Sequence, residues 1–280
     1  MPSTRFESEL LEEHLARAMA DEPIAHFDLK PIDELTGGVH GGRVYFLTGG
    51  PGTGKTTLLV QLADELARKG VVAIFYSLEL AAHRLVAKSL ARLSEDNLSL
   101  TDITDPACAD KVRAAASVYR DLIADNLIII DSQIKAVDLG HLIGEIKHKR
   151  NTAVALFVDY IQILPNDTGV IEERLQIKAA TNDLRTIANS YDCPIFAISS
   201  VARGNYDKIP PLDKLGGSQF LEYSSDLVLC LAVEDASVDK KGNTSLEVRT
   251  LAAETIKSRY SGMGSTTLLF DTTHATFREN

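Results

Sequence analysis

The chain lacks paired cysteines, long apolar runs and an excess of positive charge. Its three cysteines, Cys108, Cys193 and Cys230, lie far apart with no C-x-x-C spacing. That excludes a disulfide framework and the usual zinc motifs, fits a reducing cytoplasm, and leaves each thiol as a small buried hydrophobe. No apolar run reaches transmembrane length and the N-terminus is acidic, so neither a membrane partner nor a secretory leader is expected. A net charge of -10 and a pI near 5.2 exclude a globally basic nucleic-acid coat, though not a local basic channel inside an assembly. Internal repeats and low-complexity segments are absent as well. What is present is 280 residues with 45% hydrophobic content, enough for one large α/β domain with a substantial core.

One stretch organises that domain. Gly49-Gly50-Pro51-Gly52-Thr53-Gly54-Lys55-Thr56 completes the pattern G-x-x-x-x-G-K-[ST] between an apolar run, Val44–Leu47, and an amphipathic segment, Thr57–Lys69. The glycines let backbone N–H groups approach phosphate oxygens without a Cβ clash, and the helix N-terminus adds partial positive charge. Lys55 is placed to reach β- and γ-phosphates and the Thr56 hydroxyl to bind Mg²⁺. The nucleotide-cradling set is therefore Gly50, Pro51, Gly52, Thr53, Gly54, Lys55, Thr56 and Thr57.

The rest of the chain alternates. Continuous apolar runs at 71–76, 127–131, 154–159, 194–200 and 227–233 read as buried parallel strands, and helical patterns cover about 80–93, 107–124, 137–150 and 172–191. In the last of these, Leu175, Ala179, Leu184 and Ile187 are expected on the inner side. The basic run 147–150 reads as cations at a helix C-terminus. Long loops are expected at 165–172 and 201–219, and shorter strand-like runs around 257–264. Residues 1–25 form a separate helical appendage, with Phe6, Leu10, Leu11, Leu15 and Met19 at helical spacing. It docks either on its own core or on a neighbouring subunit, and residues 26–280 form the main domain. This succession implies a mostly parallel, twisted sheet flanked by helices, with ligands at the carboxyl ends of the strands.

Several polar residues fall at those ends. Asp159 closes an apolar strand and is the preferred carboxylate near Mg²⁺, with Asp131 the runner-up. Glu79 follows the strand after the phosphate loop, which is expected to lie near that loop in the sheet. It reads equally as an activator of the attacking water and as a carboxylate stabilising a helix N-terminus. Lys257 and Arg259, on a polar loop between strand-like runs, read as a solvated basic turn or as cations supplied across a subunit boundary.

Taken together and in order, GGPGTGKTT, FYSLEL (75–80), LFVDYIQIL (156–164), AISSVARGNY (197–206), LEYSSDLVLCL (221–231) and IKSRYSGMG (256–264) resemble the C-terminal ATPase domain of DnaB-type replicative helicases, a RecA-like P-loop family. The resemblance spans about Phe27 to Phe270. It implies an α/β RecA-like fold with antiparallel strands toward the C-terminus. It also implies ATP and Mg²⁺ as ligands, Glu79 as the catalytic carboxylate, and Asp159, followed by Tyr160 and Gln162, as the metal-binding aspartate. Lys257 and Arg259 would reach a neighbouring subunit's ATP. Ser200 stands where many members carry a γ-phosphate-sensing glutamine. Gly216 and Gly217 replace a basic and an acidic residue in the DNA-facing loop, where Arg203, Lys208 and Lys214 are the remaining cations.

The resemblance further implies a homo-oligomeric ring, usually a hexamer, around single-stranded DNA, working in replication. The large N-terminal domain with which replicative helicases bind primase is not expected here, and any primase or loader partner is unspecified. The competing reading is a regulatory or scaffold ATPase of the circadian-clock or RadA-like kind, which would switch assembly without unwinding DNA. The acidic balance and the two glycines favour that reading somewhat.

Overall fold

Parallel strands buried on both faces need a helix layer on each side, and the apolar runs of this chain meet that demand. The computed structural model describes residues 11–12, 15–16, 19, 21–161, 173–199, 224–238 and 244–280. The strands are β1 (Val44–Gly49), β2 (Val72–Ser77), β3 (Leu127–Ile130), β4 (Val154–Asp159), β5 (Ile195–Ile198), β6 (Leu227–Val238), β7 (Thr244–Ser258), β8 (Ser265–Asp271) and β9 (Thr276–Glu279). They form one sheet in the order β3-β2-β4-β5-β1-β6-β7-β8-β9. The first six run parallel, and β6 to β9 continue as an antiparallel ribbon.

The helices are α1 (Lys30–Thr36), α2 (Lys55–Arg68), α3 (Ala82–Leu93), α4 (Ala109–Leu122), α5 (Ala136–Arg150) and α6 (Glu173–Tyr191). Side chains alternate across the sheet. Tyr45, Leu47, Ala155, Phe157 and Phe196 pack with α1 and α2, while Val44, Phe46, Leu156 and Val158 pack with α5 and α6. Under α2 the rings of Tyr45 and Phe196 (4.6 Å), then Phe196 and Phe157 (5.0 Å), stack from β1 across β5 to β4. This ladder gives a rigid floor to the strands whose ends carry the candidate site.

Three expectations need correction. First, β2 is not beside the phosphate-loop strand: β4 and β5 lie between β2 and β1. Strand order is set by non-local pairing, which a linear pattern does not encode. Second, Lys257 belongs to the long strand β7, not to a loop, and Arg259 directly follows it; the turn is 259–264. Third, Leu175 is exposed, and the buried stripe of α6 is Ile177, Ala180, Leu184, Ile187 and Ala188. The inner face of that helix is rotated in its first turns from the one that the apolar spacing suggests. In the N-terminal appendage, the side chains of Leu11, Leu15 and Met19 are exposed on this chain.

Of the three cysteines expected to be buried, Cys193 and Cys230 are, and burial pushes both thiols up to about 12, whereas Cys108 is only partly buried. In the basic run at the end of α5, Lys147 Nζ donates to the carbonyls of Tyr191 (2.7 Å) and Asp192 (3.2 Å), capping α6. Among the described residues no helix is long and apolar enough to cross a membrane.

Candidate active site

The phosphate loop owes its shape to glycines at positive φ. Gly52 has φ 78° and Gly54 φ 81°. A Cβ on Gly49 would overlap the Leu231 carbonyl oxygen, and one on Gly54 would meet the rings of Phe270 and Phe277 at 2.7 and 2.8 Å. Those two rings stack at 4.4 Å between β8 and β9, so the C-terminal hairpin packs directly beneath the loop. Gln61 on α2 makes a reciprocal pair with the Phe277 backbone, donating to its carbonyl (2.9 Å) and accepting its N–H (2.7 Å). Thr53, fully buried, donates its hydroxyl to the Gly50 carbonyl (2.9 Å). From β7, Arg249 Nη1 donates to the Gly52 carbonyl (2.8 Å).

Beside this loop lies a cleft of about 640 Å³, at the carboxyl ends of the parallel strands. Its walls include Gly54, Lys55, Thr56, Glu79, Lys88 and Asp159. Thr56 Oγ1 donates to Asp159 Oδ2 (2.9 Å), bringing together residues from the first turn of α2 and the end of β4. Lys55 Nζ donates to the carbonyls of Gly49 (2.9 Å) and Gly50 (2.8 Å). Burial pushes the Asp159 carboxyl up to about 6. The Glu79 charge adds to this, and the Thr56 bond and the Lys55 and Lys88 charges oppose it. Burial also lowers the Lys55 ammonium. The Asp159–Tyr160 peptide is cis.

Among the described residues Asp159 Oδ1 is buried without a hydrogen-bond partner. A buried carboxylate oxygen with no donor is costly, and a hard divalent cation satisfies it. The hydroxyl of Thr56 and the carboxylate of Asp159 are the oxygen donors Mg²⁺ prefers, so the residues fit that ion.

Glu79 reaches the cleft although its strand lies three places from β1, because it stands beyond the end of β2, past Ser77. Asp131 does not: it follows edge strand β3, on the far side of β2, and accepts the Ala82 N–H at the start of α3 (2.9 Å). Asp159 is therefore the carboxylate beside Thr56. Lys257 and Arg259 line no part of the cleft. Lys257 Nζ donates to the Ser225 carbonyl (2.6 Å) and hydroxyl (3.0 Å). Arg259 donates through its backbone N–H to the Asp226 carbonyl (2.9 Å) and through Nη1 to Asp226 Oδ1 (3.4 Å). Asp226 pairs with Val44, at the opposite end of β1 from the phosphate loop. Ser200, Arg203, Lys208 and Lys214 lie outside the described residues, as do Gly216 and Gly217.

Two residues of the site were not anticipated. Lys88 on α3 lines the cleft and donates to Thr57 Oγ1 (3.1 Å). Its signal was available: it lies three residues after the buried Leu85 and beside the buried Ser89, a charge on the inner stripe of an amphipathic helix. Arg249 carried no such signal, since its contact depends on the register of β7 against β6 and β8.

Residues 26–279 match the DnaB-like helicase C-terminal domain. Among curated relatives, a replicative DNA helicase DnaB of Leifsonia xyli is 25% identical over 84% of this chain and 53% of its own length. A probable plasmid replicative DNA helicase of Chlamydia psittaci is 26% identical over 86% of this chain and 52% of its own. The chain thus spans about half the length of these relatives. In fold it is similar to a solved DnaB-like replicative helicase, with a TM-score of 0.80, 20% identity, and 99% of this chain and 67% of that one covered. A KaiC-like protein from Pyrococcus horikoshii superposes less closely, with a TM-score of 0.60, 19% identity, and 91% of this chain and 97% of that one covered. With nearly its whole length matched and its phosphate loop, Glu79 and Asp159 gathered at one end of a RecA-like sheet, the chain belongs to the DnaB-like helicase C-terminal domain family.

Proposed function

We propose that this chain is the ATP-hydrolysing motor of a ring-forming, DnaB-type helicase that moves on single-stranded DNA in replication. The observation that carries the reading is the Thr56–Asp159 hydrogen bond in one cleft with Lys55 and Glu79, within a chain of this family. In this reading the phosphate-loop N–H groups and Lys55 hold the β- and γ-phosphates of ATP. Mg²⁺, held by Thr56 and Asp159, supplies positive charge to the phosphate oxygens. Glu79 orients the attacking water and accepts its proton. Ser200 senses the terminal phosphate, and Arg203, Lys208 and Lys214 face the DNA backbone.

Lys257 and Arg259 act on a neighbour's ATP. Their position supports this: β1 runs six residues from the Asp226 contact to the phosphate loop, about 17 Å at the rise of a strand, so neither cation serves its own subunit's phosphates. A ring, most simply a hexamer, follows. The similar DnaB-like helicase is described with its interactions with primase, and a primase or loader partner is part of the same proposal here.

ATPase rate with and without single-stranded DNA, at low and moderate salt, tests the reading. A phosphate-tracking motor is stimulated by DNA, and its binding weakens steeply as salt rises. ATP turnover that ignores DNA, with no DNA binding at low salt, would leave an assembly-switching ATPase instead. The mass of the assembly with ATP and Mg²⁺ tests the ring: a strict monomer removes the role given to Arg259.

A further inference from the structure

The cleft contains a cation to which nothing above gives a task. Lys88, on α3, lines the same cleft as Glu79, Asp159 and the phosphate loop. Its ammonium is half-buried, and among the described residues its hydrogen bond goes to a neutral hydroxyl, Thr57 Oγ1, at 3.1 Å. A lysine ammonium has three donors, so one hydroxyl leaves it under-satisfied. The carboxylate whose charge acts on it is Asp159, which already accepts from Thr56. Burial lowers the ammonium's proton affinity, the mark of a charge held partly out of water. If the side chain served only to fasten α3 to α2, a neutral donor would make the same bond without the desolvation cost. Two ammonium groups, Lys55 and Lys88, thus line one cleft with two carboxylates, Glu79 and Asp159.

We propose that Lys88 is a second phosphate-contacting cation, which binds the terminal phosphoryl group of the nucleotide from α3. The inference rests on the cleft being an ATP site. Lys55 belongs to the phosphate loop, while Lys88 comes from α3, the helix that follows Glu79. A positive charge there offsets the negative charge on the transferred phosphoryl oxygens in the transition state. A contact to the terminal phosphate alone predicts selectivity for a triphosphate over a diphosphate, which a packing role for Lys88 does not.

The test compares the wild-type chain with Lys88→Met, which keeps the apolar stem, and with Lys88→Gln, which keeps a donor for Thr57 without the charge. Affinities for a non-hydrolysable imidotriphosphate analogue of ATP and for ADP are measured with Mg²⁺, alongside kcat and the thermal midpoint. The expected result is a loss of about 10- to 100-fold for the triphosphate, the range for one charge-assisted hydrogen bond. ADP affinity stays near wild type, kcat falls, and Lys88→Arg restores most of the loss. Equal losses for both nucleotides, or no loss for either, in whichever of the two neutral variants is folded would overturn the proposal and leave the ATP site standing. Failure of the wild-type chain to bind the triphosphate would overturn both.

Discussion

The two ends of the parallel sheet treat their charged groups in opposite ways. At the carboxyl end, Asp159 keeps one oxygen without a partner among the described residues, its acidity is weakened by burial, and two lysines crowd the same cleft. At the amino end, the equally buried Asp226 is fully engaged. Its Oδ2 accepts from the Val44 N–H (2.8 Å) and Arg185 Nη1 (2.7 Å), and its Oδ1 from Arg259 (3.4 Å). Arg185 also donates to the Ser224 carbonyl. A buried carboxylate that is satisfied serves the fold, and one that is left unsatisfied is set aside for a ligand. The contrast also shows what Arg259 must do to act on a neighbour: exchange part of its hold on Asp226 for a phosphate.

That comparison breaks most sharply at Arg259. Arg259→Ala is expected to reduce ATP turnover by ~10³-fold or more with nucleotide affinity retained, as removal of an arginine finger does. If turnover is unchanged and only the thermal midpoint drops, both ends of the sheet are structural in this respect and the trans role fails. Next in size, Glu79→Gln lowers kcat by roughly 10²- to 10⁴-fold while ATP still binds. Comparable loss of binding would assign Glu79 to the helix terminus instead of the water.

Asp226→Ala separates the ends differently. It strands Arg185 and the Val44 N–H, and should cost about 3 kcal/mol or more of unfolding free energy, read from urea denaturation. Asp159→Asn should cost far less stability, or none, while abolishing Mg²⁺-dependent turnover. Similar losses from the two changes would erase the distinction.

The smallest effect lies at Glu65, near the end of α2 remote from the cleft. Burial and a shared hydrogen bond with Asp28 push its carboxyl up from 4.5 to about 7. The folded state therefore holds this proton more tightly than the unfolded state. The stabilisation is complete below pH 4.5 and lost as pH rises through about 7. With solvent screening it amounts to about 1–2 kcal/mol. Glu65→Gln should flatten that decline in a stability–pH series and leave nucleotide affinity alone. A decline of the same slope in the variant would place its origin elsewhere.

Much of the carboxyl end was legible in the chain, because its information is local. The phosphate loop is contiguous, and buried parallel strands read as unbroken apolar runs ending in Asp159 or just before Glu79. The amino end was not legible. Asp226 gathers Val44, Arg185 and Arg259 from three distant segments, a meeting created by strand order alone. The same physics hid the position of Lys257: β7 pairs with β6 and β8 in antiparallel register, and its mixed sequence, TSLEVRTLAAETIKS, carries no continuous apolar run. Leu175 was misplaced because α6 turns its buried stripe onto Ile177 and Ala180.

The aromatic pair under Gly54 has a consequence for synthesis. The phosphate loop is made early, but the ring against which Gly54 packs and the backbone that Gln61 grips belong to Phe277, in β9. While that strand is still within the ribosome, the loop lacks its support. The phosphate loop is therefore expected to take its supported shape only when the domain is almost completely made.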